Sequence, residues 1–119
     1  MTPQEASFVK YAINSYLGMK VTFFNQLHDA ALDFSCSPQR IIDAVSADKR
    51  IGFAHTRVPG FDGKKGFGGA CLPKDMNAFV KFNQDLTLIA ESVKINNKMR
   101  EEYELDEREK NNNIKFEDK

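Results

Sequence analysis

Between Gln4 and Phe34, apolar residues recur at Phe8/Val9, Ala12/Ile13, Tyr16/Leu17, Val21, Phe23/Phe24, Leu27 and Ala30/Ala31. Steps of three and four residues mark one face of an α-helix. The stretch holds no proline and a single glycine, Gly18. Its start is also marked. Thr2 suits an N-cap, Pro3 suits the first helical position, and Glu5 completes a capping box. The pattern predicts one helix of about thirty residues, long for a globular domain. A helix of that length spans a domain or packs against a second copy of itself.

Ser37-Pro38 predicts a second start, with Ile41, Ile42 and Val45 as the apolar face. From Lys49 to Gly69 the chain holds most of its glycines and reads as an extended loop. A loop of that length inside a small domain is usually functional or disordered. Pro73 predicts a third helix through Asn83, with Met76, Phe79, Val80 and Phe82 apolar. Asp85 can cap a fourth, which carries Leu86, Leu88, Ile89, Val93, Ile95 and Met99. After Arg100 the chain becomes charged and Asn-rich, with too little apolar content to stay packed. No segment alternates apolar and polar residues like a strand. The expected fold is all-α: one long N-terminal helix, about three further helices and a Gly-rich loop. The expected division is a helical domain over residues 1–100 and a charged, partly disordered tail over 101–119.

Composition narrows the function classes. The 119 residues suit a single domain. Lys plus Arg and Asp plus Glu both number 17, so no global charge points to nucleic acid or to an acidic membrane. No apolar run is long enough to span a bilayer, and no basic-then-apolar leader is present. The expectation is a cytoplasmic protein. There Cys36 and Cys71 would stay reduced. They and the two histidines, His28 and His55, show no metal-ligand spacing, so no metal is expected.

The stretch "GFGGACLPKD" at residues 66–75 carries the candidate chemistry. Gly66, Gly68 and Gly69 let the backbone turn and let a ligand approach closely. Pro73 places Cys71 just before a predicted helix N-terminus. The free N–H groups and positive dipole end there favour an anion such as a thiolate. Lys74 adds a positive charge. Asp75, expected in the first turn, can stabilise the helix or orient a water. Each feature also has a plain reading. A lone cysteine is commonly a buried small hydrophobe. Lys10 and Asn14, one turn apart, can be an ordinary solvated helix face. Arg50 can be a surface charge.

The order Gly-Phe-Gly-Gly-x-Cys-x-Pro-Lys-Asp resembles the cysteine segment of the nucleotide-sugar dehydrogenase family, the UDP-glucose and GDP-mannose dehydrogenases. "EASFVKYAINSYLGMKVTFFNQL" at 5–27 resembles the long helix of that family's central domain. "RIG" at 50–52 and "IAESVKINNKMR" at 89–100 resemble further parts of it. "HTRVPGFDGKKGFGGACLPKD" at 55–75 is nearer to the UDP-glucose branch. The resemblance implies that Cys71 is a nucleophile that traps an aldehyde as a thiohemiacetal and then carries a thioester. It implies that Lys10 and Asn14 stabilise the oxyanion and that Asp75 directs water. It further implies that Arg50, Phe67, Gly68 and Gly69 bind substrate, and that Lys74 touches the cofactor, NAD in the complete family enzyme. The family's two Rossmann-type domains are not recognisable here. "GFDGKKGFGG" follows no strand and opens no βαβ unit. Met1, followed at once by a capping box, reads as a start.

Three expectations follow. The chain is part of a split dehydrogenase, inactive alone and binding no cofactor by itself, with Rossmann-domain chains as partners. Alternatively it is an interaction module, a homodimer through the face around Tyr16, Phe23, Phe24 and Leu27, or a module that docks onto a full-length dehydrogenase. In the third it has no separate role.

Overall fold

A computed structural model of the chain describes residues 1–117. Among these residues there are five helices and no strand. The first, α1, runs Pro3–Asp33. It begins where the sequence places it. Thr2 Oγ1 accepts from the Glu5 N–H at 3.1 Å, and Glu5 Oε1 accepts from the Thr2 N–H at 2.8 Å. Helix α2 runs Pro38–Ser46 behind an N-cap at Ser37. Helices α3 and α4 run Cys71–Phe82 and Thr87–Arg100. A short α5 spans Glu107–Asn111. None of these helices is long and apolar enough to cross a membrane.

Helix α1 is the spine, and α2, α3 and α4 pack along it in two groups. Near its middle, Phe67, Met76, Phe79 and Ile89 form a core, with Tyr11, Met19 and Val21 of α1 against it. Further along, Phe24 packs with Ile42 of α2 and Val58 of the loop, beside Leu27 and Val45. Phe24 is therefore core. It does not belong to the outward face with Tyr16 and Phe23, as the sequence reading had it.

Gly18 explains how α3 comes so close to α1. A Cβ at that position would overlap the Met76 sulfur. Met76 is wholly buried and has nowhere to move. The one glycine of the long helix thus marks the contact.

Two boundaries differ from the sequence reading. Helix α3 begins at Cys71 rather than Pro73, with Ala70 as N-cap. Pro73 is the third helical residue, where a missing N–H costs nothing because first-turn N–H groups have no partner within the helix. Asp75 therefore lies beyond the first turn and is buried rather than a helix-start carboxylate. Helix α4 starts at Thr87 after Leu86, with no side-chain cap from Asp85.

Among the described residues the stretch after Arg100 is mostly exposed and is anchored at Glu109 and Ile114. Asp106 caps α5 in a capping box with Glu109, and Ile114 is buried. The tail supplies few apolar side chains but one buried carboxylate. The last two residues of the expected tail, 118–119, lie outside the described residues.

Replacing Gly18 with valine is expected to lower stability by about 1–3 kcal/mol through overpacking against Met76. Urea unfolding followed by circular dichroism measures this. A midpoint equal to that of the parent would contradict the packing. The helix caps also carry a pH dependence. The Glu109 N–H holds the Asp106 carboxyl below its ordinary value of 3.8. The bonds from Thr2 do the same for Glu5, against its ordinary 4.5. A depressed carboxyl stabilises the fold above its unfolded pKa, and that stabilisation is lost as pH falls through the folded one. Acid should therefore fray α5 and the start of α1 before the middle of α1, read from amide NMR signals.

Candidate functional site

Two helical pairs build the site. Lys10 and Asn14 lie one turn apart on α1, and Cys71 and Asp75 lie one turn apart on α3. The close packing of α1 on α3 brings the pairs together. Asn14 Nδ2 donates to Asp75 Oδ2 at 2.6 Å, a short and strong bond of the kind a carboxylate accepts. Lys10 Nζ stands 3.9 Å from the same oxygen. Asp75 is buried, whereas the Lys10 side chain is mostly exposed. The carboxylate is thus fixed from one side and the ammonium is free to move. Cys71 is exposed and unpaired, as is Cys36. The thiol sits at the first position of a helix that has no side-chain cap. The N–H groups of that first turn have no partner within the helix.

The glycine loop before Cys71 is held by polar side chains of three elements. Asn25 of α1 accepts from the Gly66 N–H at 3.1 Å. Asn96 of α4 accepts from the Phe67 N–H at 2.7 Å and donates to the Phe67 carbonyl at 2.9 Å. Glu109 of α5 accepts from the Gly69 N–H at 2.9 Å. Arg100 donates to the Gly66 carbonyl at 3.0 Å and to Asp62 at 2.9 Å. Gly66 and Gly69 have φ near +77° and +78°, where an L side chain would be strained. Gly68 is needed for room instead. A Cβ there would overlap the Glu109 carboxylate and the Arg100 guanidinium.

These bonds bear on the cofactor. A loop that cradles a dinucleotide phosphate offers free N–H groups at the turn from a strand into a helix. Here the Gly66, Phe67 and Gly69 N–H groups already have side-chain partners, and no strand is present among the described residues. This loop therefore does not offer the free amides of a dinucleotide-phosphate cradle. Lys74 contributes an exposed side chain only. Among the described residues no group of three or more His, Cys, Asp and Glu side chains could hold a metal.

The remaining sequence candidates sit as follows. The Phe67 ring is in the core, so the loop exposes backbone there rather than an aromatic face. Arg50 is remote along the spine. Its backbone neighbours Ile51 and Gly52 accept from Lys20 Nζ at 2.7 and 3.4 Å. Lys20 lies ten residues from Lys10 on α1, about 15 Å at the helical rise. The Arg50 side chain is exposed and forks onto Asp48 at 3.0 and 2.7 Å. That bond raises the arginine and lowers the aspartate from their ordinary pKa values. Of the named residues, Lys10, Asn14, Cys71 and Asp75 gather at one place, and Arg50 stands elsewhere.

Asn25, Asn96, Arg100 and Glu109 were not anticipated as site residues. Asn96 and Arg100 are one turn apart on the buried face of α4, which also carries Ile89, Ser92 and Asn97, and that spacing was the available signal. Glu109 is marked locally only as the fourth residue of a capping box that starts at Asp106, and its bond to Gly69 spans 40 residues.

Two short helical pairs, joined across a long spine beside a pinned glycine loop, define a cysteine-centred helical domain. The chain belongs to the UDP-glucose/GDP-mannose dehydrogenase family: residues 4–100 match the model of that family's central domain. A UDP-glucose 6-dehydrogenase of Rhizobium meliloti is 34% identical over 101 residues, 80% of this chain and 22% of that protein. One of Campylobacter jejuni is 43% identical over 75 residues, 63% of this chain and 18% of that protein. One of Streptococcus pneumoniae is 36% identical over 101 residues, 83% of this chain and 24% of that protein. The chain thus spans under a quarter of the length of these relatives. No solved structure matches.

Asp75→Ala is expected to cost about 1–3 kcal/mol of stability, because Asn14 loses its partner at a part-buried site. Asp75→Asn, which keeps an acceptor, should cost less. Chemical denaturation of the two variants beside the parent tests the order.

Proposed function

We propose that this chain carries the thiol chemistry of a UDP-glucose 6-dehydrogenase, the oxidation of the sugar's primary alcohol to a carboxylate. The observation that supports it is the Asn14–Asp75 bond. It brings the Lys10/Asn14 pair to the helix that begins with Cys71, within a domain of this family. In this reading the Cys71 sulfur adds to the carbon of a bound aldehyde, and the carbonyl oxygen becomes an alkoxide. The mobile Lys10 ammonium and the second N–H of the Asn14 amide stabilise that charge. At the thioester stage a water attacks the acyl carbon, Asp75 takes its proton, and the Cys71 thiolate leaves. The hydride removals call for an acceptor, NAD in this family, and the residues here do not hold it. The chain alone is therefore inactive, and dinucleotide-binding partner domains complete it. Gly68 and Gly69 line the sugar site, and Phe67 anchors the loop from below. Two exposed, unpaired cysteines suit the reducing cytoplasm.

A second element of the proposal concerns the partner copy. Val9, Ile13, Tyr16 and Phe23 are exposed along α1. With Lys20 they step by four and three residues, the repeat of a helix-pairing seam. We infer a homodimer through this face. Arg50, displaced along α1 from its own Cys71, would then serve the partner's substrate. Phe23→Asp is expected to give a monomer in sedimentation, with unchanged helicity. A dimer that survives the change would sink the assigned face.

The functional test is a pull-down with the tagged chain from its source cell, followed by an assay for NADH formation with UDP-glucose. Wild type should co-purify with activity, and Cys71→Ala should reduce it to background. Activity indifferent to Cys71→Ala would mean that the chain only docks onto a complete dehydrogenase.

A further inference from the structure

The match to the family's central-domain model ends at residue 100, yet the next stretch reaches back to the loop that leads into Cys71. Glu109 is fully buried. Its Oε1 accepts from the Asp106 N–H at 2.9 Å, which closes the capping box of α5. Its Oε2 accepts from the Gly69 N–H at 2.9 Å and faces Arg100 Nη1 at 3.8 Å. Arg100 is itself buried and bonds Asp62 and the Gly66 carbonyl. A buried carboxylate is strongly unfavourable unless it is paired and hydrogen-bonded. Both oxygens here are satisfied and the charge has a guanidinium beside it. Gly68 has the only side chain, hydrogen, that leaves room for the two groups.

The position of the contact gives it a consequence. Gly69 precedes the N-cap Ala70, and Cys71 is the first residue of α3. The peptide that Glu109 grips therefore sets the direction in which α3 starts. The upstream part of the loop has its own anchors, Asn25 on Gly66 and Asn96 on Phe67. The downstream part depends on Glu109.

We propose that Glu109 is a positioning residue for Cys71, and that α5 is a clasp that holds the Gly68–Gly69 peptide from outside the family domain. The relevance of the thiol rests on the function proposed above; the clasp itself does not. With the clasp in place, the first-turn N–H groups that would solvate a thiolate keep a fixed direction. Without it they lose that direction while the rest of the domain stays folded.

The test uses the full chain in a Cys36→Ser background, so that Cys71 is the one thiol. Amide hydrogen exchange and the rate of alkylation by iodoacetamide are the readouts. Glu109→Ala is expected to speed exchange at the Gly69 N–H by about tenfold or more, the loss of one buried bond to a charged acceptor. Gly66 and Phe67 should stay within about threefold of the parent, since their acceptors are untouched. Cys71 alkylation should slow by about threefold or more as the helix start loosens. Glu109→Gln keeps a carbonyl acceptor and should restore most of the Gly69 protection. Should Glu109→Ala fail to fold, Asp106→Ala decides. It removes the carboxylate that caps the Glu109 N–H and pairs with Arg108, keeps the backbone bond to Glu109 Oε1, and should speed Gly69 exchange by about threefold, the scale of a lost N-cap. An unmoved Gly69 N–H overturns the clasp. So does a loss of protection shared equally by Gly66 and Phe67, which would mean general loosening. Gly69 released with alkylation unchanged overturns the positioning of the thiol. If Cys71 in the unsubstituted chain reacts no faster than Cys36, the nucleophile reading falls, and the Gly69 amide still judges the clasp.

Discussion

The close approach of α3 to α1 at Gly18 is the contact on which the site depends. Where a Cβ would stand, the Met76 sulfur stands instead. The site lies close to the same contact. Asn14 is one turn before Gly18, and Asp75 is the residue before Met76. Helices that touch this tightly hold their side chains to within a few tenths of an ångström, because a packed interior is as dense as an organic crystal. A bond of 2.6 Å between Asn14 and Asp75 is a product of that packing. A wider spacing between the helices would leave the carboxylate either wet or unpaired.

Around this contact the chain hides an unusual share of polar groups. Asn25, Asn96, Arg100 and Glu109 are all buried, and each bonds the backbone of the glycine loop. A loop with three glycines in four residues has high conformational entropy when free. It makes few side-chain contacts of its own. Polar side chains from α1, α4 and α5 supply the partners that a strand or helix would supply from within. They hold the loop in one conformation, and leave the thiol at its far end exposed. The same network uses up the N–H groups that a phosphate would require. The loop therefore resembles a dinucleotide cradle in composition but not in what its amides can do.

Much of the fold was legible in the chain. The three-four periodicity and the Thr2/Glu5 box gave α1 to within a residue at each end, and Ser37-Pro38 gave α2. Local rules sufficed because caps and periodicity act over a few residues. They failed at the start of α3. Proline is tolerated anywhere in a first turn, so Pro73 marked the helix but not its first residue. The pairing of Lys10 with Asn14 was visible as helical spacing; that of Cys71 with Asp75 was not, because Cys71 was placed ahead of the helix that it in fact begins. Phe24 was misplaced because it adjoins Phe23, and two neighbouring apolar residues on a helix point roughly 100° apart. Only one of them could face the core, and the sequence did not say which.

By itself the sequence determined the helical class, the caps of α1 and α2, the even balance of positive and negative charge and the motif that marks the family. Each of these is a local property, readable from neighbours along the chain. Tertiary structure alone decided which faces meet. It buried Asp75, set Arg50 far along the spine from Cys71, and sent a charged tail back to the loop. Those outcomes depend on contacts between residues 40 and 61 positions apart, such as Glu109 on Gly69 and Asn14 on Asp75. A charged residue carries no local sign that it will be buried. It becomes so only when folding brings a guanidinium and a free N–H to the same place.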